Sequence, residues 1–418
     1  MLRLRGSGFV QMPDKLSSVC ASNAQSEAGA LASGLSRGDI DAIWQRTLGL
    51  YKSGAYPGIG FCLRHRGQVV LDRTIGHAHG NGPTDAPNAR KTLLTPETPM
   101  CIFSASKAVT AVLVLKLVED GALSLSDPVS RYIPEFAQHG KGDTTIGHVL
   151  SHRGGFPSFS IAPDQLGPEL LLDWDYCIRS ICDAKPAHRR RRVAYHALTG
   201  GYILAELIQR LTNGSFEAFH DKTLRKPLGM THFTYGLPQE HRHSVAHNYM
   251  AGQRLDPLSD RFLRGFLSVP MSEVVEISNT DVFLDAVIPA GNMHCTAEEL
   301  SRFFQMLLDE GRWGDQQILK PETVALLRQP ASPVSIDRTL MLPMRYSMGM
   351  MLGADPLGLF GPMSGQSYGH IGMMNVFGWA DPRRELAASL IVTGKALLGT
   401  HVLAIAKWQT ALARRCGR

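Results

Sequence analysis

Ser104 and Lys107 have the clearest chemical potential in the sequence, because they stand three positions apart at the start of an apolar segment. This spacing places both side chains on one helical face, within hydrogen-bonding reach. Residues 108–120 are apolar on nearly all sides, which predicts a buried central helix ending at Gly121. Burial lowers the pKa of a lysine ammonium, so a neutral amine could accept the serine proton. The helix N-terminus would direct N–H groups at the oxyanion formed when Ser104 attacks a carbonyl.

The Ser-x-x-Lys spacing is weak evidence on its own. With 30 serines and 12 lysines in 418 residues, about one such pair is expected by chance. A serine at the start of a helix is also commonly only an N-cap. Two Gly-x-Ser-x-Gly sequences offer rival nucleophiles, Ser36 and Ser367. A nucleophile elbow needs a preceding strand and a following helix, which neither sequence predicts, so we interpret both as non-catalytic.

The elements that would position these residues come from both ends of the chain. Hydrophobic periodicity predicts two hairpins and two flanking helices: a helix at 39–52, strands at 58–64 and 68–75, strands at 373–379 and 386–392 around Asp381-Pro382, and a helix at 397–414. Hairpins at both ends with helical material between them predict an α+β fold, an α/β sandwich. In it, an antiparallel sheet formed from both chain ends is flanked by helices and carries a large α-rich insertion.

The chain is predicted to form one domain behind a short leader. Residues 1–38 are rich in Ser, Ala and Gly, which predicts a loose N-terminal leader. Residues 39–418 are predicted to form the domain that carries Ser104 and Lys107. Its α/β part covers about 39–130 and 285–418, and its α-rich part covers about 131–284.

From about residue 40 onward the chain resembles the serine β-lactamase and penicillin-binding-protein superfamily. Within it, the class C β-lactamases and family VIII carboxylesterases are the most similar branch. Several stretches carry the resemblance: Phe103–Ala108, Leu117–Pro128, Ile133–Phe136, Ile146–Pro157, Ile288–Leu300 and 303–311. The resemblance implies a β-lactamase/transpeptidase-like fold and a serine hydrolase in which Ser104 is acylated and Lys107 moves protons.

The second catalytic motif of that superfamily is Tyr-x-Asn, and Tyr195-His196-Ala197 occupies its place. The resemblance implies that Tyr195 passes a proton to the leaving group, if the Lys107 ammonium holds the phenol pKa down. A tyrosine out of this context would usually be a packing residue. Ala197 replaces an amide that would contact the side-chain amide of a β-lactam, which weakens the lactamase interpretation more than the esterase one.

The third motif is Lys-Thr-Gly, and His370-Ile371-Gly372 stands in its place at the head of a predicted strand. Gly372 would let the substrate lie against this strand, and the Met373 N–H would be the second oxyanion donor beside that of Ser104. A mostly neutral His370 binds a carboxylate less well than lysine does, which favours neutral ester substrates. A purely structural role for His370 is the alternative.

Composition restricts the partners. A net charge of +6 with 44% hydrophobic residues predicts a packed protein. We interpret the run Arg189–Arg192 as a solvated loop rather than an anion or nucleic-acid patch, so no nucleic-acid partner is expected. Seven scattered cysteines without metal-ligand spacing predict reduced thiols and no metal site, and no cofactor is expected. The residues after the first arginines lack a signal peptide's apolar core, and the longest apolar run, 108–115, is too short to span a membrane, so a cytoplasmic location is expected.

The function predicted from the sequence is hydrolysis of carboxylic esters of small or short-chain acyl groups through an acyl-enzyme on Ser104. A β-lactamase, a D-Ala-D-Ala peptidase-like enzyme and an acyltransferase are the mechanistic alternatives. A non-catalytic binding protein is disfavoured because Ser104, Lys107 and Tyr195 are all retained.

Overall fold

A computed structural model describes residues 8–159, 167–187, 192–253 and 270–417. Its central element is an eight-stranded sheet with the strand order β1-β3-β2-β18-β17-β16-β13, to which β4 adds by pairing with β3. The strands in the described residues are β1 Cys20–Ser22, β2 Gly58–His65, β3 Gln68–His79, β4 Thr92–Leu93, β5 Met100–Cys101, β6 Thr234–Tyr235, β7 Tyr249–Met250, β8 Met293–Cys295, β9 Arg312–Trp313, β10 Gln316–Gln317, β11 Ser335–Ile336, β12 Pro343–Met344, β13 Met351–Leu352, β14 Leu357–Gly358, β15 Gly361–Pro362, β16 Tyr368–Gly372, β17 Val376–Asp381, β18 Leu386–Val392 and β19 Gly394–Lys395.

Helices cover the sheet and build the region beside it. The α-helices in the described residues are α1 Arg37–Tyr51, α2 Ser106–Glu119, α3 Ile146–Leu150, α4 Trp174–Asp183, α5 Thr199–Thr212, α6 Phe216–His220, α7 Met271–Ile277, α8 Asp281–Asp285, α9 Ala297–Leu308, α10 Pro321–Arg328 and α11 Thr400–Arg415. The predicted α+β fold is confirmed. The antiparallel sheet joins both chain ends, because all of β18 pairs with residues 59–65 of β2.

The central strands are buried on both faces because a different helix covers each. Every residue of β2, β17 and β18 is buried, as expected for strands sandwiched between helical layers. On one face, a side chain at Gly378 would meet the Phe304 ring and Leu300 of α9. On the opposite face, Trp408 of α11 packs edge-on against Phe61, with ring centroids 5.3 Å apart.

The second predicted hairpin is present, but its boundaries differ from those predicted. β17 pairs with β18 around a short helical turn at Pro382–Arg384, capped by the Asp381 side chain. β17 begins at Val376, three residues later than predicted, because residues 373–375 form a turn that follows the separate strand β16. Met374 and Asn375 have φ values of 50° and 75°, which interrupt an extended conformation and separate the two strands.

The expectation of a loose leader is wrong for the part that the structure describes. Residues 20–22 form β1, which pairs antiparallel with β3 and closes one edge of the sheet. Glu27 accepts a hydrogen bond from the Asp72 N–H at 2.8 Å and pairs with Arg73 at 2.7 Å. The segment is therefore held by backbone pairing and by a half-buried ion pair, two contacts that its small-residue composition does not reveal.

Two negative observations apply to the described ranges. Within 8–159, 167–187, 192–253 and 270–417, no helix is both long and apolar enough to cross a bilayer. The same residues contain no group of three His, Cys, Asp or Glu side chains arranged to hold a metal ion. Residues 189–191 of the arginine run lie outside the described residues.

Candidate active site

Ser104 lies in a turn of 3-10 helix, Phe103–Ala105, that leads directly into α2. The predicted helix is present, and the Ser104 Oγ is 3.1 Å from the Nζ of Lys107. The same Nζ donates to the Ala290 carbonyl oxygen at 2.8 Å. Lys107 is only 7% exposed, and this burial lowers the pKa of its ammonium well below the usual value. A neutral amine has a lone pair, so it can accept the Ser104 proton across the 3.1 Å contact.

The backbone around the nucleophile is held in a strained shape by close packing. Phe103 has a φ of 47°, which is unusual for a residue with a side chain. Just before it, the Ile102 N–H donates to the Met293 carbonyl at 2.9 Å. A Cβ at Gly372 would lie 2.1 Å from the Ile102 carbonyl oxygen. The lack of a side chain at Gly372 therefore lets β16 approach the nucleophile turn, whereas the sequence suggested that it makes room for substrate.

Tyr195 is the second predicted catalytic residue, and the structure brings it to the nucleophile. Its hydroxyl is hydrogen-bonded to Ser104, and the Lys107 Nζ lies 4.9 Å from the centre of its ring. Its side chain is buried, and desolvation raises the pKa of the phenol, an effect that the Ser104 hydrogen bond opposes and the Asp337 charge increases. The condition attached to Tyr195, a phenol pKa held down by a Lys107 ammonium, is not met, because desolvation raises the phenol pKa and also favours the neutral form of Lys107.

His370 is buried in β16 and is uncharged. Its Nδ1 is 2.9 Å from the Ile371 carbonyl oxygen, so this nitrogen carries the proton, and its ring centroid lies 6.2 Å from that of Tyr195. Burial lowers the pKa of His370 to about 3, with a smaller contribution from Lys107. Its Nε2 has no hydrogen-bond partner among the described residues. His370 therefore offers a hydrogen-bond acceptor where a lysine would offer a cation.

Two residues that the sequence analysis did not single out hold Tyr195 in place. The buried Asp337 accepts hydrogen bonds from the Tyr195 N–H at 3.1 Å and from the Tyr346 hydroxyl at 2.9 Å. The His152 ring packs between these two tyrosines, with ring centroids 4.6 and 4.7 Å away. His152 lies within the stretch Ile146–Pro157 that resembles the superfamily, which is a usable signal. No sequence signal identifies Asp337, since it follows a two-residue strand in an irregular part of the chain.

Neither rival serine has an environment suited to nucleophilic attack. Ser36 is the N-cap of α1, where its hydroxyl accepts from the Asp39 N–H at 3.1 Å. Ser367 is buried immediately before β16, so it leads into a strand, as the sequence indicated. Met373 begins the turn between β16 and β17, directly after Gly372. This position places its backbone beside the nucleophile turn that Gly372 touches.

Comparisons with known proteins identify the family and the fold. The sequence model of the Beta-lactamase family matches residues 39–411. The esterase/beta-lactamase LipL of Mycobacterium tuberculosis is 28% identical over 338 residues, which are 78% of this chain and 74% of LipL. A penicillin-binding protein homologue from Caulobacter crescentus superposes with a TM-score of 0.75 at 23% identity, covering 90% of this chain and 98% of that one. A family VIII carboxylesterase superposes with a TM-score of 0.76 at 22% identity, covering 91% and 98%.

The fold and the family match together define the class of this protein: it is a serine hydrolase of the β-lactamase-related type. The chain belongs to the Beta-lactamase family, and the β-lactamase/transpeptidase-like fold expected from the sequence is confirmed.

Proposed function

We propose that this protein hydrolyses carboxylic esters of small or short-chain acyl groups through an acyl-enzyme on Ser104. The observation that carries the proposal is the 3.1 Å contact between the Ser104 hydroxyl and the buried Lys107 side chain, whose ammonium has a lowered pKa and readily becomes a neutral amine. A nucleophile that shares a hydrogen bond with its own base is the arrangement required for acyl transfer. Tyr195, which is hydrogen-bonded to the same hydroxyl, supplies the second proton-transfer group.

Acylation would proceed in two proton-balanced steps. Ser104 Oγ attacks the ester carbonyl carbon while its proton moves to the Lys107 Nζ, and the carbonyl becomes an oxyanion bound by the N–H groups of Ser104 and Met373. The carbon–oxygen bond to the alcohol then breaks, and the departing alkoxide takes the Tyr195 proton as the Lys107 ammonium returns its proton to Tyr195. Water repeats the sequence on the acyl-enzyme, which releases the acid and restores Ser104.

Two departures from the superfamily motifs support esters over β-lactams as substrates. Ala197 cannot donate the hydrogen bond that an asparagine would give to a β-lactam side chain. His370 is neutral and buried, so it provides no cation for the carboxylate of a β-lactam. An ester without these two groups loses nothing by their absence. LipL, whose name combines both activities, keeps a β-lactamase as the second candidate.

Intact-protein mass spectrometry tests the proposed function. Brief exposure to p-nitrophenyl butanoate is expected to add one butanoyl group to the wild-type protein and none to Ser104→Ala. Exposure to a penicillin under the same conditions is expected to leave little adduct. Accumulation and turnover of a penicilloyl adduct at rates that match the butanoyl one would replace the esterase proposal with the β-lactamase one.

The state of the thiols supports a reducing, cytoplasmic location as part of this proposal. All seven cysteines are free, and all except the half-buried Cys20 are buried. Free thiols are typical of proteins that function where disulfides are kept reduced. Cell fractionation with an antibody against the chain tests the location, and recovery in an exported fraction would contradict it.

A further inference from the structure

A small cluster of sulfur-containing and aliphatic side chains lies beside the main core, and Met373 packs against both. Met271 and Val275 of α7 are buried, and half-buried side chains pack around them, so we define the methionine cluster as Met250, Met271, Val275, Met373, Met374 and Leu397. Methionine is unbranched and polarisable, so methionine-rich surfaces adapt to apolar groups of different shapes. A half-buried surface of this composition can bind an apolar ligand.

The cluster is continuous with the proposed oxyanion site through Met373. Gly372, the preceding residue, approaches the Ile102 carbonyl so closely that a Cβ would lie 2.1 Å from it. The turn that carries Met373 is fixed by Asn375, whose Nδ2 donates to the Tyr56 hydroxyl at 3.0 Å and to the Ala396 carbonyl at 3.2 Å. The Met373 backbone therefore directly follows the residue that approaches the nucleophile turn, and its side chain packs against the cluster.

Polar contacts hold the far wall of the cluster in place. The Asn248 N–H donates to the Asn279 Oδ1 at 2.8 Å, and the Asn279 Nδ2 donates back to the Asn248 carbonyl at 2.9 Å. These bonds fix the end of α7 to the residues before β7. β7 in turn pairs in parallel with β19, where Lys395 stands opposite Met250. The apolar side chains are thus presented by a hydrogen-bonded frame.

The position of Tyr195 decides which part of an ester would meet this cluster. A leaving alcohol must face Tyr195 to receive its proton. Besides Ser104 and Lys107, the groups near Tyr195 include His152, His370 and Asp337. None of these residues belongs to the methionine cluster as the described residues define it. The acyl substituent on the same carbonyl carbon would point away from the alcohol, and the cluster side chain nearest in sequence to the proposed oxyanion donor is that of Met373 itself.

We infer that the methionine cluster is the acyl subsite of this hydrolase and selects apolar straight-chain acyl groups, butanoyl to hexanoyl, over acetyl. This inference rests on the proposed esterase function. Each methylene buried against the cluster is expected to raise kcat/KM about fourfold, so two methylenes give a butanoate-to-acetate ratio on the order of 10.

The test compares kcat/KM for p-nitrophenyl acetate, butanoate and hexanoate. Met250→Gln and Met374→Gln keep side-chain volume but make the wall polar, and each is expected to lower the butanoate-to-acetate ratio roughly three- to tenfold. Met374→Leu, which keeps the wall apolar, should retain the ratio. Met363→Gln is the matched control, since Met363 is an exposed methionine beside the β14–β15 hairpin, outside the cluster, and its ratio should equal that of wild type.

The possible failures are distinguishable. Glutamine variants that keep the wild-type ratio would overturn the acyl subsite and leave the esterase proposal standing. Glutamine variants that change the relative kcat/KM only among esters with the same acyl group and different alcohols would place the cluster on the leaving-group side. That result would also refute the inference. A wild-type protein that forms no acyl adduct with any ester would refute the proposed function itself. Melting temperatures of each variant separate a lost subsite from a lost fold.

Discussion

The strongest test of the mechanism is whether Lys107 and Tyr195 act as one unit on the Ser104 hydroxyl. Both groups are hydrogen-bonded to that single oxygen, and the Lys107 Nζ lies 4.9 Å from the Tyr195 ring centre. Removing either group interrupts the same proton transfer. General acid–base catalysis contributes typically 10²- to 10⁴-fold, so Lys107→Ala and Tyr195→Phe should each lower kcat about 10³-fold.

The size of the coupling follows from these losses. Two independent losses of about 10³ would multiply to about 10⁶, whereas a shared proton path predicts that the double variant loses only slightly more than 10³. The difference corresponds to a coupling free energy of about 4 kcal/mol, at 1.36 kcal/mol for each factor of ten. Hydrolysis of p-nitrophenyl butanoate by the four proteins measures it directly.

The stability of each variant has to be measured as a control, because Lys107 also donates a hydrogen bond to the buried Ala290 carbonyl at 2.8 Å. Thermal unfolding of each variant shows whether loss of that bond unfolds the protein. Lys116→Ala is the matched lysine control, since Lys116 is on the same helix but pairs with Glu119 at 2.7 Å, and it should retain activity. If the two losses simply multiply, the roles assigned to Lys107 and Tyr195 are separate and the shared-path mechanism is wrong.

Three further outcomes are expected. Ser104→Ala should lower kcat by roughly 10³-fold or more, while Ser36→Ala should leave kcat unchanged and lower stability by about 1 kcal/mol through the lost helix cap; an inactive but folded Ser36→Ala protein would refute the assignment. Wild-type kcat/KM for p-nitrophenyl butanoate should exceed that for nitrocefin by roughly 10²- to 10⁴-fold, since each missing hydrogen bond is worth about 1–3 kcal/mol, and Ala197→Asn should narrow the gap; equal efficiencies would argue for a β-lactamase. Burial lowers the pKa of His370 to about 3 and that of His294 to about 4. Between these values and about 6.5 the unfolded chain binds more protons than the folded one, so the free energy of unfolding falls as pH falls, by up to about 1.4 kcal/mol per pH unit for each histidine. A free energy of unfolding, measured with urea, that does not decrease from pH 6.5 to 4.5 would contradict these directions.

Local pattern was sufficient to predict the nucleophile helix and the sheet. The apolar run after Lys107 is long enough to require burial, and burial alone produces the lowered lysine pKa that the chemistry needs. Alternating and fully apolar segments likewise placed β2, β3 and β18 within a few residues of their positions. These features depend on short-range periodicity, which a single sequence displays.

Features that depend on contacts between distant segments were not predictable. Asp337 is 142 positions from Tyr195 in sequence, yet it accepts the Tyr195 N–H. The approach of Gly372 to Ile102 and the pairing of β1 with β3 are also long-range contacts. The raised pKa of Tyr195 is not readable from the sequence for a related reason, because it depends on how completely the whole fold excludes water from both Tyr195 and Lys107.

The pairing of β2 with β18 has a consequence for the synthesis of this protein. The Gly58 N–H donates to the Thr393 hydroxyl at 2.9 Å across a separation of 335 positions. During translation, β2 has only β3 beside it until the segment about 335 positions later has left the ribosome. Contacts of such long range form slowly, and an unpaired strand edge can recruit other chains. We therefore expect chaperones to protect the nascent chain until β18 is available. A ribosome stalled before β16 should carry a product that contains Ser104 and Lys107 but has no hydrolase activity.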